Sequence, residues 1–500
     1  MSGRRSRGLL VAAAAASALL ITSTGPVAAS SHSPAPATSS GSASAALSAS
    51  PSTSAALALL PVPPVPADVL TPAAGGTTPA TGADARLATG VLSALSAKAV
   101  GSSVSAAVLD ATSGTMLVAR GAATAVLPAS TLKVLTAAAV LRGWGTQARL
   151  RTTVVAATGG PVVLVGAGDA TLSRKSTSTW PAGMGARPAS LADLATATAK
   201  ALVAAKRTSV VVAVDDSYFT GPRTAPGWPT SYISGGVVAP VTALSVDQGR
   251  SAHAVGSGPR VQDPSITAGK LFAALLRTHG ITVTGQVVRT KARKDATELA
   301  AVQSPPMVDL VERMLTQSDD DLAEALGHLS GVKLGGAASF AGGSAAALAV
   351  LKDLGVPTTG VVVADGSGLS GRDRLTADTL VRLLAAIAAD APASVPGATA
   401  PAPVLWPAAT GLAIAAVNGT LSDRFALPAD KAGRGVVRAK TGTLTGVNGL
   451  AGLVRAADGR VLAFAFVGDD SPGPQSSARA ALDRAATVVA TGGVPTAAGA

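Results

Sequence analysis

The sequence contains no cysteine, so disulfide frameworks, thiolate zinc sites, iron–sulfur clusters and cysteine nucleophiles are excluded together. Histidine is scarce. His32, His253, His279 and His328 are the full set, with no H-E-x-x-H pair, which leaves little room for a Ser-His-Asp triad or a multi-histidine metal centre. Aromatic residues make up only 2% of the 500 positions, so platforms for stacking bases are few. The net charge of +12 comes from 40 Lys plus Arg against 28 Asp plus Glu, yet the bases form no run beyond Arg4, Arg5 and Arg7. Nucleic acid is not expected as a partner on that pattern, whereas an anionic envelope polymer is compatible with it. Any chemistry falls to hydroxyls, amines and carboxylates.

What is present is a chain that is 48% hydrophobic, with 55 glycines and 32 prolines. Its core must be built from Ala, Val and Leu, and its length allows two or three folded units. Residues 1–29 read as a secretory signal: basic Arg4, Arg5 and Arg7, an apolar stretch from Leu9 to Ile21, then a small-residue cleavage site at Val27-Ala28-Ala29. The apolar stretch is short of the ~20 residues of a spanning helix, and an uncleaved signal-anchor is the alternative. Membrane contact is expected only through that segment if it stays uncleaved. Residues 30–83 are Ser, Ala, Pro and Thr with almost no charge, the composition of a disordered linker.

Folded sequence is expected from near Asp84. Leu87, Val91, Leu92 and Leu95 give a first helix, and Val104–Leu109 with Met116–Arg120 give a hairpin around Ala111–Gly114. Pro128–Lys133 opens a helix to about Arg142, with Gly143 as its stop. Short Val-rich strands dominate from about Leu150 to Thr290. Helical spacing returns at Met307–Leu315, Leu322–Leu329 and Leu375–Ala388. A hairpin, Gly449–Arg455 with Val461–Val467, precedes a closing helix from about Ser476 to Val489.

Three short motifs carry the chemistry. Ser130-Thr131-Leu132-Lys133 is S-x-x-K, and positions i and i+3 of a helix share a face, so the Lys133 amine can sit beside the Ser130 hydroxyl. A desolvated lysine can act as a general base, which activates a serine without histidine. Ser330-Gly331-Val332-Lys333 matches the same expression, but it follows a helical run and reads as a loop. Ser318-Asp319-Asp320 stands just before the helix of Leu322, where Ser and Asp also suit capping. Lys440-Thr441-Gly442-Thr443 ends a strand-like run, where a cation can meet a carboxylate and the Thr443 N–H can join that of Ser130 as an oxyanion hole. Each motif alone has an ordinary structural explanation. Their chain order, S-x-x-K, then S-D-x, then K-T-G, is the combination found in penicillin-binding proteins and class A β-lactamases.

The chain from about Asp84 to Val489 resembles the D-alanyl-D-alanine carboxypeptidase/endopeptidase family, the class C low-molecular-mass penicillin-binding proteins. The resemblance also runs through Leu164–Asp169, Asp216–Pro222, Pro240–Ser245, Asp365–Ser370 and Lys440–Asn448. It implies an α/β fold of the α+β type: a transpeptidase-like antiparallel sheet flanked by helices, interrupted by an inserted, mostly β domain. The expected organisation is catalytic sequence at 84–150 and 291–490, an insertion at 151–290 and a disordered tail at 491–500. The resemblance also implies an exported serine hydrolase that cleaves D-Ala-D-Ala in peptidoglycan stem peptides, outside the cytoplasm, and is acylated by β-lactams. No cofactor and no metal are implied. In that scheme Ser130 is the acylated nucleophile, Lys133 its base, and Ser318 relays the proton to the leaving D-alanine. Lys440 polarises Ser318 and, with Thr441 and Thr443, holds the substrate carboxylate. Asp320, Gly442, Leu369 and Thr445 complete the substrate-binding set, and the backbone N–H groups of Ser130 and Thr443 form the oxyanion hole.

Two departures stand out. The middle motif of the family ends in Asn, and here it ends in Asp320. A carboxylate only accepts hydrogen bonds, and an anion beside Lys133 favours its ammonium form, so turnover is expected to be reduced but not abolished. A basic residue usually follows the Asp365–Ser370 string directly, whereas Gly371 intervenes here before Arg372. A catalytically weakened wall-binding or scaffold homologue, and a β-lactamase or esterase on the related fold, are the alternative readings.

Overall fold

The computed structural model describes residues 82–178, 185–251, 258–391 and 404–494. The expected signal segment lies outside the described residues, as do nearly all of the linker and most of the tail.

A six-stranded antiparallel sheet is assembled from the two ends of the chain. Its first hairpin is β1 (Ser103–Asp110) with β2 (Met116–Arg120). In the turn between them Asp110 Oδ1 accepts the N–H groups of Thr112 and Ser113 at 3.0 and 3.1 Å.

A second, five-stranded sheet interrupts this body. It comprises β3 (Arg151–Ala156), β4 (Val162–Val165), β5 (Ser209–Asp215), β6 (Thr282–Arg289) and β7 (Thr297–Gln303), in the order β6-β5-β4-β3-β7. β4, β5 and β6 pair in parallel and the rest antiparallel. Pairing of β7 with β3 carries this sheet past residue 290, the expected end of the insertion. The sheet's apolar residues meet two long helices supplied by the insertion itself. These helices are capped by side chains, Ser190 accepting from Asp193 N–H and Asp263 from Ile266 N–H.

The first sheet is completed late in the chain by β8 (Ala413–Ile414), β9 (Arg438–Leu444), β10 (Val447–Arg455) and β11 (Val461–Asp469), giving the order β2-β1-β11-β10-β9-β8. The period-two alternation of its strands feeds two cores. Leu462, Phe464 and Phe466 of β11 face one side. There they meet α1 (Ala83–Leu95), through Leu87, Val91 and Leu95, and the C-terminal helix Gln475–Thr491, through Leu482 and Val489. Val461, Ala463, Ala465 and Val467 face the other side, where small side chains admit a buried helix. That helix is α2 (Lys133–Trp144), whose residues from Lys133 to Leu141 are all buried. It is preceded by a tight 3₁₀ turn at Ala129–Leu132 and runs through Gly143 to Trp144, two residues further than the glycine suggested.

The remaining helices, in chain order, are α3 (Leu191–Ala204) and α5 (Pro264–Thr278) on the second sheet, with the short α4 (Ser231–Ser234) between them. Then come α6 (Met307–Gln317), α7 (Asp320–Ser330), α8 (Phe340–Asp353), α9 (Ala377–Ala389), α10 (Trp406–Thr410) and α11, the C-terminal helix. The second S-x-x-K match is a wide π-type turn ending α7 rather than a loop. Ser330 Oγ bonds the Gly327 carbonyl at 2.7 Å and the Lys333 ammonium sits 4.8 Å from the Trp144 ring centroid, so the two groups serve separate structural contacts.

In a chain so poor in aromatic rings, the stacked Phe464–Phe466 pair, with centroids 5.2 Å apart, fills a core that Ala and Val cannot. Phe464→Ala is expected to cost about 3–5 kcal/mol. Denaturant unfolding of the purified protein measures it.

Candidate active site

Ser130 sits in the 3₁₀ turn that leads into α2, half-buried, while Lys133 is the first residue of that helix and has no exposed surface. Ala129, just before the serine, is held at φ 46°, the left-handed region that L-residues with a Cβ avoid. Such a residue persists only where the surroundings fix it. Here those surroundings are backbone: a Cβ on Gly368 would lie 1.9 Å from the Ala129 carbonyl oxygen, and one on Gly442 would lie 2.8 Å from that of Pro128. The glycines of the D-G-S-G string and of K-T-G are thus demanded by the turn that presents Ser130.

Lys133 Nζ makes three hydrogen bonds: to Ser130 Oγ at 2.9 Å, to Asp320 Oδ1 at 2.6 Å and to the Ser367 carbonyl at 2.8 Å. Three acceptors match the three N–H groups of an ammonium. Asp320 is the first residue of α7, its side chain 22% exposed. Withdrawal from water pushes its carboxyl above the ordinary value, and Lys133 pulls only part of that back. Ser318 caps α6 in a left-handed conformation, φ 57°. Asp319 caps α7 by accepting the Leu322 N–H at 3.1 Å.

The Asp365–Ser370 loop, from which the sequence yields only Leu369 as a site residue, is a clamp on Lys133. Its carbonyls bond Lys133 through Ser367 and Thr136 through Gly366, at 2.8 and 2.6 Å. Two carboxyls hold it from beneath. Asp365 accepts the N–H groups of Ser367, Gly368 and Ser370, and Glu324 those of Gly366 and Ser367. Burial, with Asp365 nearby, drives the Glu324 carboxyl well above its usual range. Glu324 stands one helical turn beyond Asp320, an i, i+4 spacing that was visible in the sequence. Leu369 itself is buried.

Lys440 lies within β9 rather than at the end of a strand, and is fully buried. Burial, then the neighbouring Lys133, hold its ammonium well below the usual value, with Asp320 opposing. The expected Lys440–Ser318 contact is not formed: Lys440 Nζ turns along its own strand to the Thr441 carbonyl at 2.9 Å. Among the described residues Ser318 Oγ has no hydrogen-bond partner; it opens, with Asp320, into a cavity of about 1240 Å³ that Ser130 and Lys440 do not line. β8 pairs with β9 only at Ala439 and Arg438. Among the described residues no strand covers the outer edge of β9 from Lys440 to Leu444, which carries Thr441, Gly442 and Thr443. Thr445 is exposed in the turn that follows. Thus Lys133 is in direct contact with both Ser130 and Asp320, Lys440 feels the charge of Lys133 and Asp320, and Ser318 Oγ is hydrogen-bonded to none of them.

The D-Ala-D-Ala carboxypeptidase 3 (S13) family matches residues 87–257 and 249–489. The chain belongs to that family. Carboxypeptidase DacB of Mycolicibacterium smegmatis is 38% identical over 409 residues, covering 81% of this chain and 83% of that protein. The D-alanyl-D-alanine carboxypeptidase of Actinomadura is 34% identical over 242 residues, 47% of this chain and 40% of that one. Penicillin binding protein 4 of Haemophilus influenzae has a similar solved fold, with TM-score 0.64 at 20% identity over 80% of this chain and 98% of that one. The S13 chain described here is accordingly a D-Ala-D-Ala carboxypeptidase, a hydrolase.

Beneath the clamp loop, Asp373 Oδ1 accepts the Ala364 N–H at 2.6 Å while Oδ2 is buried without a donor. Burial, then repulsion from Asp365, push its carboxyl up to about 9 from 3.8. The folded state therefore keeps a proton that the unfolded chain releases, so this group's contribution is full below pH 3.8 and is lost as pH rises toward about 9. Asp373→Asn, which never ionises, is expected to leave Tm unchanged at pH 4 and raise it at pH 8. Thermal unfolding across that range checks the sign.

Proposed function

We propose that this carboxypeptidase works through an acyl-enzyme on Ser130. The observation that carries the reading is the 2.9 Å contact between Ser130 Oγ and a buried lysine amine that is held by two further partners. Once Lys133 has lost one proton, its amine takes the Ser130 proton as Oγ attacks the carbonyl carbon of the penultimate D-Ala. The oxyanion is received by the N–H groups of Ser130 and Thr443. The peptide lies along the open edge of β9 as an added strand, and Lys440, Thr441 and Thr443 hold its terminal carboxylate. Ser318 passes the proton from Lys133 to the leaving amine of D-Ala, after movement that brings its hydroxyl into line. In deacylation the Lys133 amine takes a proton from water as its oxygen adds to the ester carbonyl, then gives that proton to Ser130 Oγ as the acyl C–O bond breaks, which restores serine and neutral amine. Leu369 and Thr445 border the groove, with Gly442 giving close backbone approach and Asp320 fixing Lys133.

Peptidoglycan stem peptides are the substrates on this reading, β-lactams acylate the same serine, and the enzyme acts outside the cytoplasm after export by its N-terminal signal. The Asp320–Lys133 contact favours a second possibility, a homologue with weakened turnover. Intact-protein mass spectrometry after incubation with penicillin should give one adduct on the Ser130 peptide. Ser130→Ala should lose both the adduct and D-Ala release from a pentapeptide. Retention of either removes the nucleophile assignment.

Asp320→Asn tests the departure from the family motif. Replacing the carboxylate by an amide removes the charged partner that ties down the Lys133 amine at 2.6 Å, so acylation by a fluorescent penicillin at neutral pH should rise. An unchanged rate would mean that Asp320 does not limit the reaction.

A further inference from the structure

Three consecutive carboxylates, Asp319, Asp320 and Asp321, follow Ser318, and Lys133 takes only the second. The first and third are gripped by the inserted segment. Gln248 Nε2 donates to both oxygens of Asp319 at 2.6 Å. Arg260 Nη2 donates to Asp321 Oδ2 at 2.6 Å, and the Ala239 N–H to Asp321 Oδ1 at 2.8 Å. Arg260 also ties the two grips together, its Nη1 donating to the Gln248 carbonyl at 3.1 Å. Arg250 Nη2 donates to Gln248 Oε1 at 3.0 Å, which turns the amide so that its N–H groups face Asp319.

The grip is built at a conformational cost. Asp247 and Gln248 are successive non-glycine residues in the left-handed region, φ 47° and 58°. Arg174 pins them through an ion pair with Asp247. Strain of this kind concentrates where a position must be defined. Helix capping does not require it, because Asp319 already accepts the Leu322 N–H and the Arg313 guanidinium. The same segment also braces the clamp loop. Trp228 Nε1 donates to Asp365 Oδ2 at 2.7 Å, and Ser370 Oγ to the Pro226 carbonyl at 2.6 Å.

We propose that Gln248 and Arg260 are positioning residues: the inserted segment holds Asp319 and Asp321 so that Asp320 stays in working register with Lys133. The insertion thereby sets the acylation rate without touching the reacting atoms. This rests on Ser130 being the nucleophile. A displacement of the turn by about 1 Å is enough to cost a large factor in rate.

The test compares Gln248→Asn, which tolerates the left-handed backbone but falls one methylene short of Asp319, with Arg260→Met and Arg260→Lys. For each, kcat and KM for D-Ala release, fluorescent-penicillin acylation and Tm are measured on the full chain. The expected result is a fall of about 10–100-fold in kcat and acylation with KM within about twofold. Arg260→Lys, whose ammonium still reaches Asp321, should recover part of what Arg260→Met loses. If Arg260→Met does not fold, the other two variants decide. Native kcat and acylation in Gln248→Asn would overturn the proposal, as would a loss confined to KM or matched by loss of folded protein. Ser130→Ala run alongside separates the failures. Activity surviving it overturns the nucleophile reading and this one with it, whereas activity lost there but intact in Gln248→Asn overturns the positioning role alone.

Discussion

A lysine with no exposed surface must have its charge met by partners, because removing an ammonium from water costs several kcal/mol. Lys133 meets that demand with a serine hydroxyl, a carboxylate and a backbone carbonyl, drawn from three separate stretches of chain. Much of the site follows from satisfying it. Asp320 must open α7 at the right height, and the Ser367 carbonyl must point inward. The loop bearing that carbonyl is in turn fixed by Asp365 and Glu324, which accept its N–H groups.

The second constraint is backbone proximity. The turn carrying Ser130 is wedged between the clamp loop and β9, and both neighbours yield space through glycine, at Gly368 and Gly442. Side chains there would push the clamp loop and β9 away from the turn that carries Ser130. The left-handed Ala129 records how little freedom remains between them.

Much of this was legible in the sequence because it depends on local spacing. The i, i+3 geometry of S-x-x-K and the hairpins flanking the site follow from helix and strand periods, the order of the three motifs carries the resemblance to the family, and the structure realises the antiparallel sheet flanked by helices. What was not legible depends on contacts between distant residues. Gly143 reads as a helix stop, yet its position is tolerated inside α2 because Lys333 and Leu334 pack over it. The role of Glu324 is hidden because an acidic residue at the start of a helix has an ordinary explanation. Gln248 and Arg260 belong to no motif, since their partners lie some 60–70 residues on, as the separations of 71 and 61 positions show. The direction of Lys440 was not legible either: a side chain on a strand edge can follow the strand or cross it, and the motif does not say which.

The order of strands has a consequence in time. β1 pairs along its length with β11, Ser103 opposite Asp469, so the sheet has a gap at its centre until the end of the chain arrives. The serine and lysine are laid down early in synthesis, and the edge that would receive substrate is made more than three hundred residues later, as Lys440 follows Ser130. Long-range strand pairing of this kind is slow to form. A nascent or truncated chain therefore carries Ser130 and Lys133 without the strand edge beside them, and hydrolytic competence arrives as a single late event, with closure of the sheet.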